Sequence, residues 1–345
     1  KRWMPRKSRS QQPNHHTHSL SGVRHRVKQG RKDRMNNFDV YSIGNALVDQ
    51  EFEVDDRFFI DSGIEKGFMT LIDEDKQQEL LGLLMARYGL KKRAGGGSAA
   101  NSIYALSQFG GKAFFSCKVA NDEPGQFYMQ ELGDNNVETN LSAEREVGTT
   151  GRCLVMVTPD AERTMLTALG ISQLVSVTEL NHDAIKASTY AYTEGYLVTS
   201  PSAKSAVLEM KRVAKAAGVK FAMTFSDPAM VEYFSEGINE FIGEGVDLLF
   251  SNEQEAMLWS GADTIEAACQ ALEKVATQFV VTRGALGARL YDGERYIDID
   301  AHKVRAIDSN GAGDMFSGAF LYGITKGYDF ETSGKIASVA ASIVV

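Results

Sequence analysis

From residue 38 onward the sequence alternates short β-rich runs with longer stretches whose apolar residues recur three and four apart. This alternation limits the fold more than any other feature. The runs at 39–44, 113–119, 189–193, 220–225, 247–250 and 278–282 read as strands, several of them apolar on both faces, which is the mark of strands inside a parallel sheet. The stretches at 75–88, 98–109, 125–132, 202–217, 253–259 and 265–276 read as helices able to cover both faces of that sheet. Two regions depart from the rhythm. Residues 51–71 and 149–168 are β-rich, the second reading as a hairpin of 152–157 and 163–166 about a turn at Pro159 and Asp160. They are expected to form a β flap or lid, from about 50–72 and 149–168, beside the main sheet. A further hairpin of 287–291 and 294–299 turns at Asp292 and Gly293.

Charge divides the chain. Residues 1–34 carry 11 Lys or Arg against Asp33 alone, which leaves 26 basic against 44 acidic residues in the rest of the 345. An acidic body lacks the basic face that phosphodiester binding needs, so nucleic acid is not an expected partner. The basic segment holds Pro13, four of the six His and little apolar periodicity, and is expected to be a disordered tail, either upstream of a start at Met35 or an organelle transit peptide or polyanion-binding arm. No run reaches the roughly 18 apolar residues of a membrane span, and 336–345 is broken by Ser338 and Ser342. Cys117, Cys153 and Cys269 lie far apart without CxxC spacing, which points away from disulfides and zinc and toward a reducing, cytoplasmic setting.

Three glycine-containing segments carry candidate chemistry. Asp308-Ser309-Asn310-Gly311-Ala312-Gly313-Asp314 leads into an amphipathic stretch. The first-turn N–H groups of such a helix have no intrahelical acceptor, and glycines let an anion approach them. A carboxylate there, that of Asp314, suits removal of a proton from a hydroxyl attacking a phosphoryl group; the other reading is an N-cap Asp after a loop. The helix dipole is expected to lower the pKa of Asp314. Gly95-Gly96-Gly97-Ser98-Ala99-Ala100 matches a dinucleotide fingerprint, but that motif must follow a strand directly, and the preceding residues read as a helix and then Lys91, Lys92 and Arg93. Gly97 and Asn101 share the start of a helix and can meet one ligand, or form a turn with Asn101 in water. Asn45 and Asp49 lie on one side of an extended chain after Gly44, as a vicinal diol would need, or simply end a strand. Gly111-Lys112 has Leu106 where a P-loop requires Gly. His182 and His302 read as surface or core residues. Phe58, Phe59 and Phe68, with Met69, read either as lid core or as a surface for a flat ring.

The run from Asp308 to Asp314 resembles the signature of the ribokinase-like, PfkB-type sugar and nucleoside kinases, and the other segments match in family order over nearly all of 38–345. The resemblance implies an α/β fold: a ribokinase-like three-layer α/β/α domain over 35–345, with a mainly parallel central sheet and a small β-sheet lid. It implies ATP-dependent transfer to a primary hydroxyl of a nucleoside or sugar, by a monomer or homodimer. Asp314 would be the general base, with the N–H groups of Gly311, Ala312 and Gly313 stabilising the transferred phosphoryl group and Asp308 supporting the loop or a metal-bound water. Asn45, Asp49, Gly97 and Asn101 would hold the acceptor. The run from Asn252 to Glu255 resembles the family's Asn-x-x-Glu, and also reads as a capping box. On the family reading Asn252, Thr282, Gly284 and Gly287 lie at the nucleotide, and Glu255 meets Mg2+ through water. Arg283 stands where other members often carry a neutral residue, and either reaches the phosphates or faces solvent. ATP and Mg2+ are implied; dependence on a monovalent cation such as potassium is left open. Residues 44–49 and 65–71 look most like the adenosine-kinase-like branch, which implies adenosine to AMP, with stacking by Phe58, Phe59 and Phe68 as the discriminator. Fructose, ribose and ketodeoxygluconate kinases, and a silent nucleoside-binding regulator, are the alternatives. The family also implies a strand or turn beyond Val345 helping to wall the adenine pocket.

Overall fold

The computed structural model describes residues 37–67, 69–160, 162–304 and 311–345. The tail 1–34, Phe68 and Asp308 therefore lie outside the described residues. The strands are β1 (Phe38–Ile43), β2 (Leu47–Glu53), β3 (Met69–Leu71), β4 (Lys92–Gly96), β5 (Ala113–Ser116), β6 (Val137–Thr139), β7 (Thr150–Val157), β8 (Arg163–Gly170), β9 (Ser188–Glu194), β10 (Lys220–Thr224), β11 (Val246–Asn252), β12 (Ala276–Thr282), β13 (Ala288–Tyr291) and β14 (Tyr296–Ile299). The helices are α1 (Asp56–Ser62), α2 (Glu74–Arg87), α3 (Ser98–Gln108), α4 (Glu123–Asp134), α5 (His182–Lys186), α6 (Pro201–Ala217), α7 (Pro228–Tyr233), α8 (Ser235–Ile242), α9 (Glu253–Ser260), α10 (Ile265–Leu272), α11 (Ala312–Thr325) and α12 (Phe330–Ile343).

Nine strands form the central sheet in the order β14-β13-β12-β11-β10-β9-β1-β5-β6, parallel throughout except for the antiparallel hairpin β13–β14 at one edge. The period-two geometry of a strand sends alternate side chains into two separate cores. Tyr41, Ala191, Met223, Leu249 and Phe279 enter one with α6, α8 and α10. Val40, Tyr192, Ala222, Leu248 and Val280 enter the other with α3, α4, α11 and α12. The result is three layers. Local chemistry sets the helix ends: Ser200 caps α6 ahead of Pro201, and Gly218 at φ 69 ends it in the left-handed conformation that glycine adopts without strain.

A second sheet, β3-β8-β7-β2-β4, stands beside the first. The structure departs from the sequence reading in three ways, two of them in this lid. Residues 51–71 are not wholly β, because Asp55 caps α1 in their midst and Gly63 closes it. Residues 92–96, not among the expected strands, form the edge strand β4. The expected helix over 265–276 stops at Leu272, since Ala276 is drawn into register with Val246 as the first residue of β12.

Strand β4 also changes the ground for rejecting a dinucleotide fingerprint. A strand does precede the glycine run, but it belongs to the second sheet and pairs antiparallel with β2, so the run is not the crossover turn of a βαβ unit in the central sheet.

Phe58 and Phe59 do not face a ligand. They sit on α1 and pack with Phe52, Leu80, Leu84, Leu154, Met156 and Leu166 behind the second sheet. Burying these rings in a dry core outweighs leaving them to line a cleft. Phe58→Ala is expected to cost about 3–5 kcal/mol in urea unfolding and to leave the preference between a purine nucleoside and a free sugar unchanged.

Candidate active site

The two sheets are joined by very short pieces of chain. Only residues 44–46 separate β1 in the central sheet from β2 in the lid, and only Gly97 separates β4 in the lid from α3 beneath the central sheet. These crossings touch. Gly97 has φ 108, and a Cβ on it would lie 2.2 Å from the Asn45 carbonyl oxygen. Both the angle and the space exclude other residues. The neighbouring Gly96 leaves room for Asp49, whose carboxylate oxygens occupy the place of a Cβ at 2.5 Å.

Between the lid and the C-terminal ends of the central strands lies a cavity of about 970 Å³. It is lined by Asn45, Asp49, Gly97 and Asn101 on one side, by Asn252, Glu255, Thr282, Gly284 and Gly287 on another, and by Gly311, Ala312, Gly313 and Asp314 between. The carboxyl ends of strands are where open α/β sheets place ligand crevices.

Asp314 stands in the first turn of α11, whose N-cap is Gly311 at φ 75. Its carboxylate accepts hydrogen bonds from Ser98 Oγ at 2.7 Å and Asn101 Nδ2 at 3.1 Å. Burial pushes its pKa up to about 6, partly offset by those two bonds. The expected lowering by the helix dipole is overturned: desolvation in the cleft outweighs it. Asn101 has its side-chain NH2 on Asp314, and so orients that carboxylate as well as facing the cavity.

Around the crossings, Asn45 N donates to Glu194 Oε1 at 2.8 Å, Ala46 N donates to Ser172 Oγ at 2.8 Å, and Ser172 Oγ donates to Asn45 Oδ1 at 3.4 Å. Burial raises Asp49 to about 7, with Arg163 opposing the shift, and raises Glu194 to about 7, with the amides of Ala99 and Asn45 opposing.

At the other end, Asn252 and Glu255 form a reciprocal capping box on α9. Asn252 N and Nδ2 donate to the two Glu255 oxygens, and Glu255 N donates back to Asn252 Oδ1. Burial lifts Glu255 to about 7. Gly287 is pressed so closely on Ile299 that a Cβ would fall 1.9 Å from that carbonyl oxygen. Arg283 turns to Glu253, with Nε 3.3 Å from Oε2, so its charge is spent on α9. Among the described residues no three His, Cys, Asp or Glu group closely enough to cage a metal ion.

Several cavity residues escaped the sequence reading. Ser98 holds Asp314, Glu194 lies under both crossings, Asp227 caps α7 and accepts from Tyr196 Oη at 3.2 Å, and Lys303 lines the cavity beside His302, which was expected at the surface or in the core. The signal for Glu194 was an acid closing a β-rich run; the signal for Asp227 was its position ahead of Pro228, directly after another such run.

The fold, the joined sheets and the cleft define a kinase of the ribokinase-like class. Residues 85–345 match the model of the pfkB family of carbohydrate kinases, and the chain belongs to that family. A probable sugar kinase from Rhizobium etli CFN 42 superimposes with a TM-score of 0.83 at 33% identity, covering 90% of this chain and 94% of that one. The adenosine kinase of Sinorhizobium meliloti does so at 0.82 and 33%, covering 89% and 94%. Adenosine kinase of Saccharomyces cerevisiae is 24% identical over 330 residues, 88% of this chain and 93% of its own. The protein is thus a kinase acting on a nucleoside or a sugar, and its family uses ATP, generally with Mg2+. No helix among the described residues is long and apolar enough to cross a membrane.

Two outcomes follow from the geometry. Gly97→Ala, forced into a left-handed angle against the Asn45 carbonyl, is expected to lose at least about 1–3 kcal/mol in thermal or urea unfolding. Asp314 binds its proton more tightly folded than unfolded, so its contribution to stability is complete below about pH 4 and is lost as pH rises through about 6. The Tm of Asp314→Asn minus that of the unaltered protein should therefore grow more positive between pH 4 and 8, as read by calorimetry.

Proposed function

We propose that this protein transfers the γ-phosphoryl group of ATP to the primary hydroxyl of a nucleoside, with adenosine to AMP as the preferred reaction. One observation carries the reading. A half-buried carboxylate, Asp314, sits on a glycine-bearing helix N-terminus and faces the same cavity as the polar crossings on one side and the glycine-rich β12–β13 connection on the other.

In this reading Asn45, Asp49, Gly97 and Asn101 hold the ring hydroxyls of the acceptor. Asp314, ionised above about pH 6, takes the proton of the primary hydroxyl as that oxygen bonds to phosphorus and the bond to the ADP oxygen breaks. The first-turn N–H groups of α11 meet the charge on the transferred group. Asn252, Thr282, Gly284 and Gly287 line the ATP end. Thr224, Asp227, Glu255 and Thr282, which line the same cavity, carry oxygen atoms, the donor type Mg2+ takes, and this fits an ion held chiefly by phosphates and waters. When bound, Mg2+ neutralises phosphate charge; Glu255 and Asp227 would orient its waters.

With Phe58 and Phe59 in the lid core and Phe68 outside the described residues, the nucleoside preference rests on the cleft side of the lid, where Met69 of the expected group remains. The cleft side of the lid presents Leu47, Met69, Leu71, Cys153, Met165 and Leu169, an apolar wall with polarizable sulfur that can lie against a purine face. A free sugar would leave it wet. Adenosine kinase of S. meliloti, at 33% identity, supports the same reading.

A coupled assay of ADP release over adenosine, ribose, fructose and ketodeoxygluconate tests it. The expected kcat/KM for adenosine is at least about tenfold above each sugar; a sugar turned over faster overturns the nucleoside assignment. Asp314→Asn is expected to lower kcat about 100- to 10,000-fold with ATP affinity retained. More than about a tenth of the rate remaining would remove Asp314 from the base role.

A further inference from the structure

Helix α3 begins without a cap of its own. Its N-cap is Gly97, which has no side chain to accept an N–H, and the contact with the Asn45 carbonyl requires glycine there. The missing acceptor comes from another strand. Glu194, the last residue of β9 and fully buried, places Oε2 2.6 Å from the Ala99 N–H at the second position of the helix, which is the group an N-cap side chain ordinarily takes. Its other oxygen, Oε1, accepts the Asn45 N–H at 2.8 Å on the neighbouring crossing. Gly44 passes so close that a Cβ on it would meet Glu194 Oε2 at 3.1 Å.

We infer that Glu194 is a positioning residue: a carboxylate latch that ties the two shortest of the four chain crossings between the central sheet and the lid, 44–46 and Gly97, to the end of one central strand. Its reach into the site is short. Through Ala99 it fixes the first turn of α3, whose Ser98 and Asn101 hold the Asp314 carboxylate. Through Asn45 it fixes the start of β2, which carries Asp49 four residues on. One buried acid therefore sets the spacing between acceptor-binding groups and base. A carboxylate suits the task because its two oxygens accept two separate amides, and its charge is favoured at a helix N-terminus. The ATP end depends on β11, β12 and the β12–β13 connection, and among the described residues the Glu194 carboxylate bonds only the Asn45 and Ala99 amides, at the acceptor end.

The inference rests on the reading of Asn45, Asp49, Gly97 and Asn101 as the acceptor end, and the test separates the two. Glu194→Gln keeps the volume but offers one acceptor, so one of the two amides must face an NH2 group. Hydrogen exchange followed at single residues without any substrate should find the Asn45 and Ala99 amides protected in the unaltered protein, and at least one of them exchanging about tenfold faster in Glu194→Gln. With substrates, the acceptor KM should rise at least about tenfold and kcat fall, while the ATP KM stays within about twofold. Glu194→Asp, which keeps both oxygens on a shorter stem, should recover part of the loss. Unprotected amides in the unaltered protein, or equal rises in both KM values, would overturn the latch. Protected amides in a protein that phosphorylates nothing on the panel would uphold the latch and remove the acceptor reading instead.

Discussion

Everything at the active cleft depends on two backbones being allowed to touch. Residues 44–46 and Gly97 carry the chain between the central sheet and the lid side by side, and the Asn45 carbonyl fills the space where any side chain at Gly97 would be. Because the connections are this short, the lid has little freedom to slide: β2 and β4 leave the crossings as an antiparallel pair in fixed register, Leu47 opposite Gly96 and Asp49 opposite Ala94. The polar groups at the crossings are thereby aimed into one cavity without a long loop having to be ordered for the purpose.

The same crowding makes the cleft electrostatically expensive. Asp49, Glu194, Glu255 and Asp314 all line one cavity, and burial lifts each carboxyl toward neutrality. Three of the four are held by specific donors: Ser98 and Asn101 for Asp314, two backbone amides for Glu194, and Asn252 for Glu255. Such a site is less stable than an apolar one of the same shape, and an acid with a pKa near 6 is a better proton acceptor than one left at its ordinary value.

The lid divides its labour by the pleat. On β7 and β8, Leu154, Met156 and Leu166 turn to the core with α1 and α2, whereas Cys153, Met165, Thr167 and Leu169 turn to the cavity. Aromatic residues concentrate on the first side, since a thin sheet with one solvent-facing surface needs its largest side chains to anchor it to two short helices. Among the described residues, the cavity face of β7 and β8 is aliphatic and sulfur-bearing, with Thr167 its one hydroxyl.

The sequence by itself determined the central architecture and the chemistry of the segments. Doubly apolar runs such as 247–250 and 278–282 read as inner strands, and the glycines before Asp314 read as a helix start open to an anion, with a plain N-cap as the other reading. The resemblance to the ribokinase-like kinases also implied one site for Asn45, Asp49, Gly97, Asn101, Asn252, Glu255, Thr282, Gly284, Gly287 and the 311–314 turn, and the fold brings all of them to one cavity. What the sequence left open were matters of three-dimensional neighbourhood. Lys92–Gly96 was not among the expected strands because its strand character comes from pairing with β2 rather than from its own residues. Phe58 and Phe59 looked available to a ligand because the cap at Asp55 that makes them helical is local, but the core that takes them is not. Glu194 and Ser98 carry no motif, and became partners of the site only when strands and helices far apart in the chain met. The pKa of Asp314 was decided there too: a helix dipole is visible in sequence, but the desolvation that overrides it exists only once the cleft has closed around the carboxylate.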